Sequence, residues 1–125
     1  MAFILHIDDD PTLRSLLFDM LTALGFEADS AASFNEGLER ARRRKPDIII
    51  LDVMMPVKDG FTGCRELRRD PALKDVPIIM LSALDKLPDV ERAFAAGASD
   101  YITKPVLMNT LKLKLAKHLP PKPPS

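Results

Sequence analysis

Polar residues stand where apolar runs end, and their types suit phosphoryl chemistry. In "PDIIILDVMMPVKDG" (46–60) the carboxylate of Asp52 follows Ile48, Ile49, Ile50 and Leu51 directly. In "FILHIDDDP" the acids Asp8, Asp9 and Asp10 follow a run of apolar residues, "VPIIMLS" ends on Ser82, and "DYITKP" delivers Lys104. A carboxylate inside such a run would need a cation or donors, so each acid is expected at the mouth of its strand. Carboxylates gathered at one mouth raise one another's pKa unless a cation sits among them. An all-oxygen donor set with open positions suits Mg²⁺, which keeps waters and takes a phosphate oxygen as a further ligand. Lys104 would meet an anionic oxygen as a point charge, and Asp52 is a candidate nucleophile. Asp10 before Pro11 reads instead as a helix N-cap with proline at N1.

Those side chains converge only if the elements carrying them do. Five strand-like runs alternate with five helix-like ones. "FILHI" (3–7), "FEADS" (26–30, more weakly), the run from Ile48, "VPIIMLS" (76–82) and "DYIT" (100–103) read as strands, and the near-continuous apolar character of the run from Ile48 is that of a parallel strand buried on both faces. Leu13, Leu16, Leu17, Met20, Leu21 and Leu24 form one helical stripe, with Gly25 as a C′ residue. Ser33 and Glu36 make a capping-box pattern before a second helix that stops ahead of Pro46. "DG" at 59–60 marks a turn before a third helix running to about Arg69. Val90, Ala93 and Phe94 give the fourth its apolar face, and Leu107, Leu111 and Leu115 form a stripe on the last, 107–119. Leu113 lies off that stripe between two lysines and is expected to face solvent. Strict alternation predicts an α/β fold, a parallel sheet with helices on both faces. Ligands then bind at the carboxyl ends of the strands.

Composition narrows the partners. Eighteen basic and eighteen acidic residues cancel, which argues against nucleic acid as a direct partner. The run Arg40 to Lys45 is expected at a helix end, where it complements the dipole. A single cysteine, Cys64, forms no internal disulfide. No apolar run approaches the length needed to cross a membrane, and the first residues lack the basic region of a signal peptide, so a cytoplasmic protein is expected. We read residues 1–119 as one domain and "PPKPPS" (120–125) as an extended tail or the start of a linker.

The motifs "IDDDP", "PDIIILDVMMPVKDG", "VPIIMLSA" and "AFAAGASDYITKP", in this order, resemble the receiver domain of two-component response regulators over about residues 3 to 118. The resemblance implies a flavodoxin-like, doubly wound, five-stranded parallel sheet of order 2-1-3-4-5 with five helices. It implies that Asp52 accepts a phosphoryl group from a phosphohistidine of a sensor histidine kinase or a histidine phosphotransfer protein. Asp9 would ligate Mg²⁺ directly, Asp8 partly through water, and the Met54 backbone carbonyl would be a further ligand. Lys104 would bond a phosphoryl oxygen. Ser82 would be the switch hydroxyl and Tyr101 the aromatic switch residue, its ring moving inward as the hydroxyl moves. Pro105 matches a family proline whose peptide bond is usually cis. The output is expected at the face made by the fourth helix, fifth strand and fifth helix, toward a downstream protein, an attached output domain or a second copy in a phosphorylation-dependent homodimer. Met54 and Leu84, two residues beyond the acceptor and the hydroxyl, cannot orient water, so slow autodephosphorylation is expected of a protein that is otherwise no enzyme.

Two rivals compete. Asp8-x-Asp10 with Thr12 resembles the nucleophile motif of haloacid-dehalogenase phosphohydrolases, but those need a later acidic pair and no acid follows Asp100. A phosphorylation-independent module with the receiver fold would have lost acceptor or metal residues, and all are present here.

Overall fold

Three short runs rich in isoleucine and leucine form the centre of a sheet, with two more polar strands at its edges. The computed structural model describes residues 1–84 and 86–119, and the expected proline-rich tail, 120–125, lies outside the described residues. The elements are β1 (Phe3–Ile7), α1 (Pro11–Ala23), β2 (Glu27–Ala31), α2 (Phe34–Arg43), β3 (Ile48–Asp52), α3 (Gly60–Arg69), β4 (Ile78–Ser82), α4 (Leu87–Ala95), β5 (Asp100–Thr103) and α5 (Met108–His118). All neighbouring strands are parallel and the sheet order is β2-β1-β3-β4-β5. This is the flavodoxin-like order implied by the resemblance.

Strand alternation divides the core in two. Leu5, Ile7, Ile49, Leu51, Ile78 and Met80 pack with Phe34 of α2, Phe61 and Leu67 of α3 and Ala93 of α4. On the other face, Ile4, Ile48, Ile50, Ile79 and Leu81 pack with Leu17 and Leu21 of α1 and Leu111 and Leu115 of α5. Each fully buried Leu or Ile contributes ~1.5–3 kcal/mol, more than any single cap.

The ends of α1 and α2 follow local chemistry. The Asp10 carboxylate accepts from the N–H groups of Thr12 (2.9 Å) and Leu13 (3.4 Å), with Pro11 at the first helical position. Ser33 Oγ accepts from Glu36 N, while the Glu36 carboxylate reaches back to Ala32 N rather than to the cap residue. Gly25, at φ +91°, closes α1 as expected. The arginines at the end of α2 are paired within the domain: Arg40 with Asp29 (2.8 Å), Arg42 with Asp70 (3.0 Å) and, just past the helix, Arg44 with Glu27 (2.7 Å).

Three positions correct the helical stripes. Leu16, Phe94 and Leu107 are exposed (49%, 47% and 63%), whereas their stripe neighbours Leu17, Ala93 and Leu111 are buried. Leu107 precedes the first turn of α5 in extended backbone, so helical spacing does not aim it. Leu113 faces solvent as expected. β2 begins one residue later than its pattern, and β4 begins at Ile78 because Val76 and Pro77 lead into the strand.

Away from the carboxyl ends of the strands, two ionic groups tie elements together. Arg68 of α3 donates to the carbonyls of Gly97 (2.8 Å), Lys74 (3.0 Å) and Val76 (2.6 Å) and to Ser99 Oγ (3.2 Å). Asp100, at the start of β5, accepts from Lys114 Nζ (2.6 Å) of α5 and the Tyr101 backbone N–H (2.8 Å), and lies 2.8 Å from His118 Nε2. Burial alone would push Asp100 up, but Lys114, His118 and the Tyr101 N–H hold it down at about 2.

A carboxylate depressed on folding stabilises above its unfolded pKa and loses that contribution as pH falls through the folded value. Asp100→Asn should therefore lower stability by ~2 kcal/mol at neutral pH. Urea unfolding should show the deficit shrinking as pH falls from about 4 toward 2.

Candidate functional site

The parallel register brings the carboxyl ends of β1, β3, β4 and β5 to one rim. Ile7 pairs with Leu51, Asp52 with Leu81, and Ser82 with Thr103. The residues just beyond are therefore forced together whatever their charges. Carboxylate oxygens of Asp8, Asp9 and Asp52 all lie within 4.8 Å of one another. Asp8 and Asp52 are buried (0% and 2%), and Asp9 is exposed. Lys104 reaches in from beyond β5, its Nζ 3.3 Å from Asp52 Oδ1. The Lys104–Pro105 peptide bond is cis.

Backbone donors and one arginine fix the acids. Asp8 Oδ1 accepts from Asp10 N (2.9 Å), the Asp8 carbonyl accepts from Arg14 Nη1 (2.8 Å), and Asp52 Oδ1 accepts from Met54 N (3.4 Å). Asp10 is committed to capping α1, which removes the second acid of the phosphohydrolase pattern. The start of α3 presses against the acceptor strand: a Cβ on Gly60 would fall 2.6 Å from the Asp52 carbonyl oxygen and 2.7 Å from Val53 Cα. The "DG" pair thus serves close approach, with Asp59 capping the helix through Thr62 N. Shortly before that pair, Val57 holds a left-handed φ of 70° with its side chain fully exposed.

The charges are unevenly balanced. Burial pushes Asp8 up, but His6 beside it, the Asp10 N–H and the Lys104 charge outweigh that and hold it below the ordinary carboxylate range. For Asp52 burial is the largest influence, the Asp8 charge adds to it, and Lys104 and the Met54 N–H only partly compensate, so it lies above that range. The donor set is all oxygen, and Asp8 Oδ2 is buried without a hydrogen bond. Both features fit a hard divalent cation.

Ser82 is fully buried beside this cluster, and its carbonyl accepts from Lys104 N at 2.8 Å. Its Oγ accepts from Leu84 N (3.0 Å), while the Leu84 carbonyl accepts from the Tyr101 hydroxyl. Tyr101 is itself buried (8% exposed). Met54 is exposed (61%) and Leu84 half-buried. The residues that sequence reasoning missed are Arg14, Gly60 in its packing role, and His6, whose Nε2 lies 3.3 Å from Asp8 Oδ2. The i, i+2 spacing of His6 and Asp8 on one strand face was the available signal.

A five-stranded 2-1-3-4-5 sheet with an acidic triad and a lysine at its carboxyl edge defines a phosphoryl-signalling class. The chain belongs to the response regulator receiver domain family, which matches residues 4–116. It is a receiver domain of the two-component class. Among relatives, the DNA-binding dual master transcriptional regulator RpaA of Synechocystis is 43% identical over 105 residues, covering 84% of this chain and 44% of that protein. Response regulator PleD of Caulobacter vibrioides is 44% identical over 105 residues, covering 84% of this chain and 23% of that protein. The chain thus spans less than half the length of either relative. Chemotaxis protein CheY4 of Vibrio cholerae superposes with a TM-score of 0.90 at 33% identity, over 95% of this chain and 99% of that one. The receiver domain of sensor histidine kinase PA1611 of Pseudomonas aeruginosa, solved with a magnesium ion coordinated in its active site cleft, has a TM-score of 0.86 at 32% identity, over 94% and 96%. No helix among the described residues is long and apolar enough to cross a membrane.

Because folding raises the Asp52 pKa, ionising this group at neutral pH opposes folding. Asp52→Asn should therefore melt at a higher temperature than wild type in EDTA. Mg²⁺ at about one hundred times its Kd should stabilise wild type by ~2.7 kcal/mol, with a much smaller gain in the variant. Calorimetric scans with and without Mg²⁺ measure both effects.

Proposed function

We propose that this domain is the phosphoacceptor of a two-component relay, with Asp52 as the acceptor. The supporting observation is that three carboxylates lie within 4.8 Å of one another with an ammonium 3.3 Å from one of them. An Asp52 oxygen attacks the phosphorus of a phosphohistidine on a sensor kinase or phosphotransfer protein. The P–N bond breaks as the P–O bond forms, and the donor imidazole leaves with a proton from solvent. Asp8, Asp9 and Asp52, with the Met54 carbonyl, would hold Mg²⁺, which when bound supplies positive charge against the phosphoryl oxygens. Lys104 then exchanges its contact with Asp52 for one with a phosphoryl oxygen. The domain acts as a signalling acceptor and not as a turnover enzyme.

The switch runs through one residue. Leu84 gives its N–H to Ser82 Oγ and takes the Tyr101 hydroxyl on its carbonyl. The bond to Leu84 uses a lone pair of the Ser82 hydroxyl, whose hydrogen can donate to a phosphoryl oxygen. Drawing Ser82 toward that oxygen lengthens its bond to Leu84 and biases the β4–α4 connection and Tyr101 together. The face beyond carries exposed Leu87 and Phe94 of α4 and Leu113 of α5. We assign the downstream partner, an output domain or a second copy to this α4-β5-α5 face.

Incubation with Mg²⁺ and acetyl phosphate should add the mass of one phosphoryl group to wild type and nothing to Asp52→Ala. An equal gain in both would overturn the assignment of Asp52.

Met54 and Leu84 offer no polar group to orient an attacking water, which supports slow loss of the phosphoryl group. Met54→Asn should shorten its lifetime several-fold, followed as the decay of the phosphorylated mass.

A further inference from the structure

His6 is the one buried group at this rim to which neither the fold nor the proposed chemistry gives a task. It lies on β1 between Ser30 of β2 and Ile50 of β3, only 1% exposed. Strand alternation puts Ile4, His6 and Asp8 on the same face, and Ile4 belongs to the apolar cluster with Leu17 and Leu21. A pure packing role there would suit valine or isoleucine, the β-branched residues that fill buried strands. Instead, Nε2 of the ring lies 3.3 Å from Asp8 Oδ2. Among the described residues, the only buried side-chain nitrogen or oxygen atoms without a hydrogen bond are His6 Nδ1, His6 Nε2 and Asp8 Oδ2. Two of them, His6 Nε2 and Asp8 Oδ2, face each other at the edge of the acidic cluster.

The two Asp8 oxygens are held differently. Oδ1 is fixed by the Asp10 N–H at 2.9 Å. Oδ2 makes no hydrogen bond and lies within ion-pair reach of the His6 ring. A small rotation of either side chain would complete the bond. Carboxylates that ligate metals are commonly held by such a second partner, whose loss weakens metal binding.

Resting on the Mg²⁺ site described above, we propose that His6 is a positioning residue for it, donating Nε2–H to Asp8 Oδ2 and thereby aiming the Asp8 carboxylate at Asp9 and Asp52. The ring needs no contact with the ion, since the group of possible ligands contains Asp8, Asp9 and Asp52 without it. Its effect is on the orientation of a ligand that would otherwise be tethered through one oxygen.

The test is calorimetric titration of the metal-free chain with MgCl₂, using wild type, His6→Val and His6→Gln. The glutamine amide nitrogen occupies nearly the place of His Nε2, so it retains the donor, and valine removes it. His6→Val should bind Mg²⁺ roughly tenfold more weakly, His6→Gln should recover most of that loss, and the melting temperature of His6→Val in EDTA should be no lower than that of wild type. Equal Mg²⁺ affinity in wild type and His6→Val would overturn the role of His6 alone, as would a glutamine variant as weak as the valine one. Wild type that fails to bind Mg²⁺ would overturn the site itself and this role with it. A second measurement needs no variant: in ¹⁵N spectra of the histidine rings, Mg²⁺ should shift the His6 signals of an Nε2-protonated ring and leave those of His118, on α5, in place. An Nδ1-protonated His6, or a ring indifferent to Mg²⁺, would also overturn the proposal.

Discussion

The feature on which the rest depends is the enforced crowding of like charge at one end of the sheet. Parallel pairing leaves no freedom in where β1 and β3 end, so Asp8 and Asp52 approach each other although both are buried. The apolar strands beneath them contribute far more to folding than the repulsion subtracts. The acids are therefore held in an arrangement that they would not adopt alone. Lys104 offsets part of that repulsion at 3.3 Å. The remaining negative charge is what a divalent cation would neutralise.

The proposed switch would use the same economy. Ser82 and Tyr101 are on adjacent strands but do not need to touch, because both are bonded to the backbone of Leu84. A backbone residue in a loop moves as a unit, so displacing one partner is felt by the other. The cluster around Asp100 ties β5 to α5 beside that loop. A stiff base beside a movable connection is what a two-state device requires.

Much of this was legible in the residue pattern because four of the five strands run into a polar residue at their carboxyl ends. The apolar runs located the strands, and the first polar residues beyond their ends located Asp8, Asp9, Asp52, Ser82 and Lys104. The strand order came from the family resemblance and not from the pattern. Helical stripes were less informative. Leu16, Phe94 and Leu107 fit a periodicity that tertiary packing does not use, since sheet width and helix ends decide which turns face the core. Gly60 read as a turn former, and only coordinates reveal that it makes room for the Asp52 carbonyl. The place of His6 beside Asp8 emerges when β1 is seen carrying both toward one face.

Arg68 has a consequence at the opposite pole of the sheet. Its guanidinium gathers Gly97, Lys74, Val76 and Ser99 around the end of α3. The other end of that helix abuts the Asp52 carbonyl through Gly60. One rod thus spans the domain from an arginine brace to the acidic rim, so slackness at the brace would be delivered, by leverage, beneath the Asp52 carboxylate.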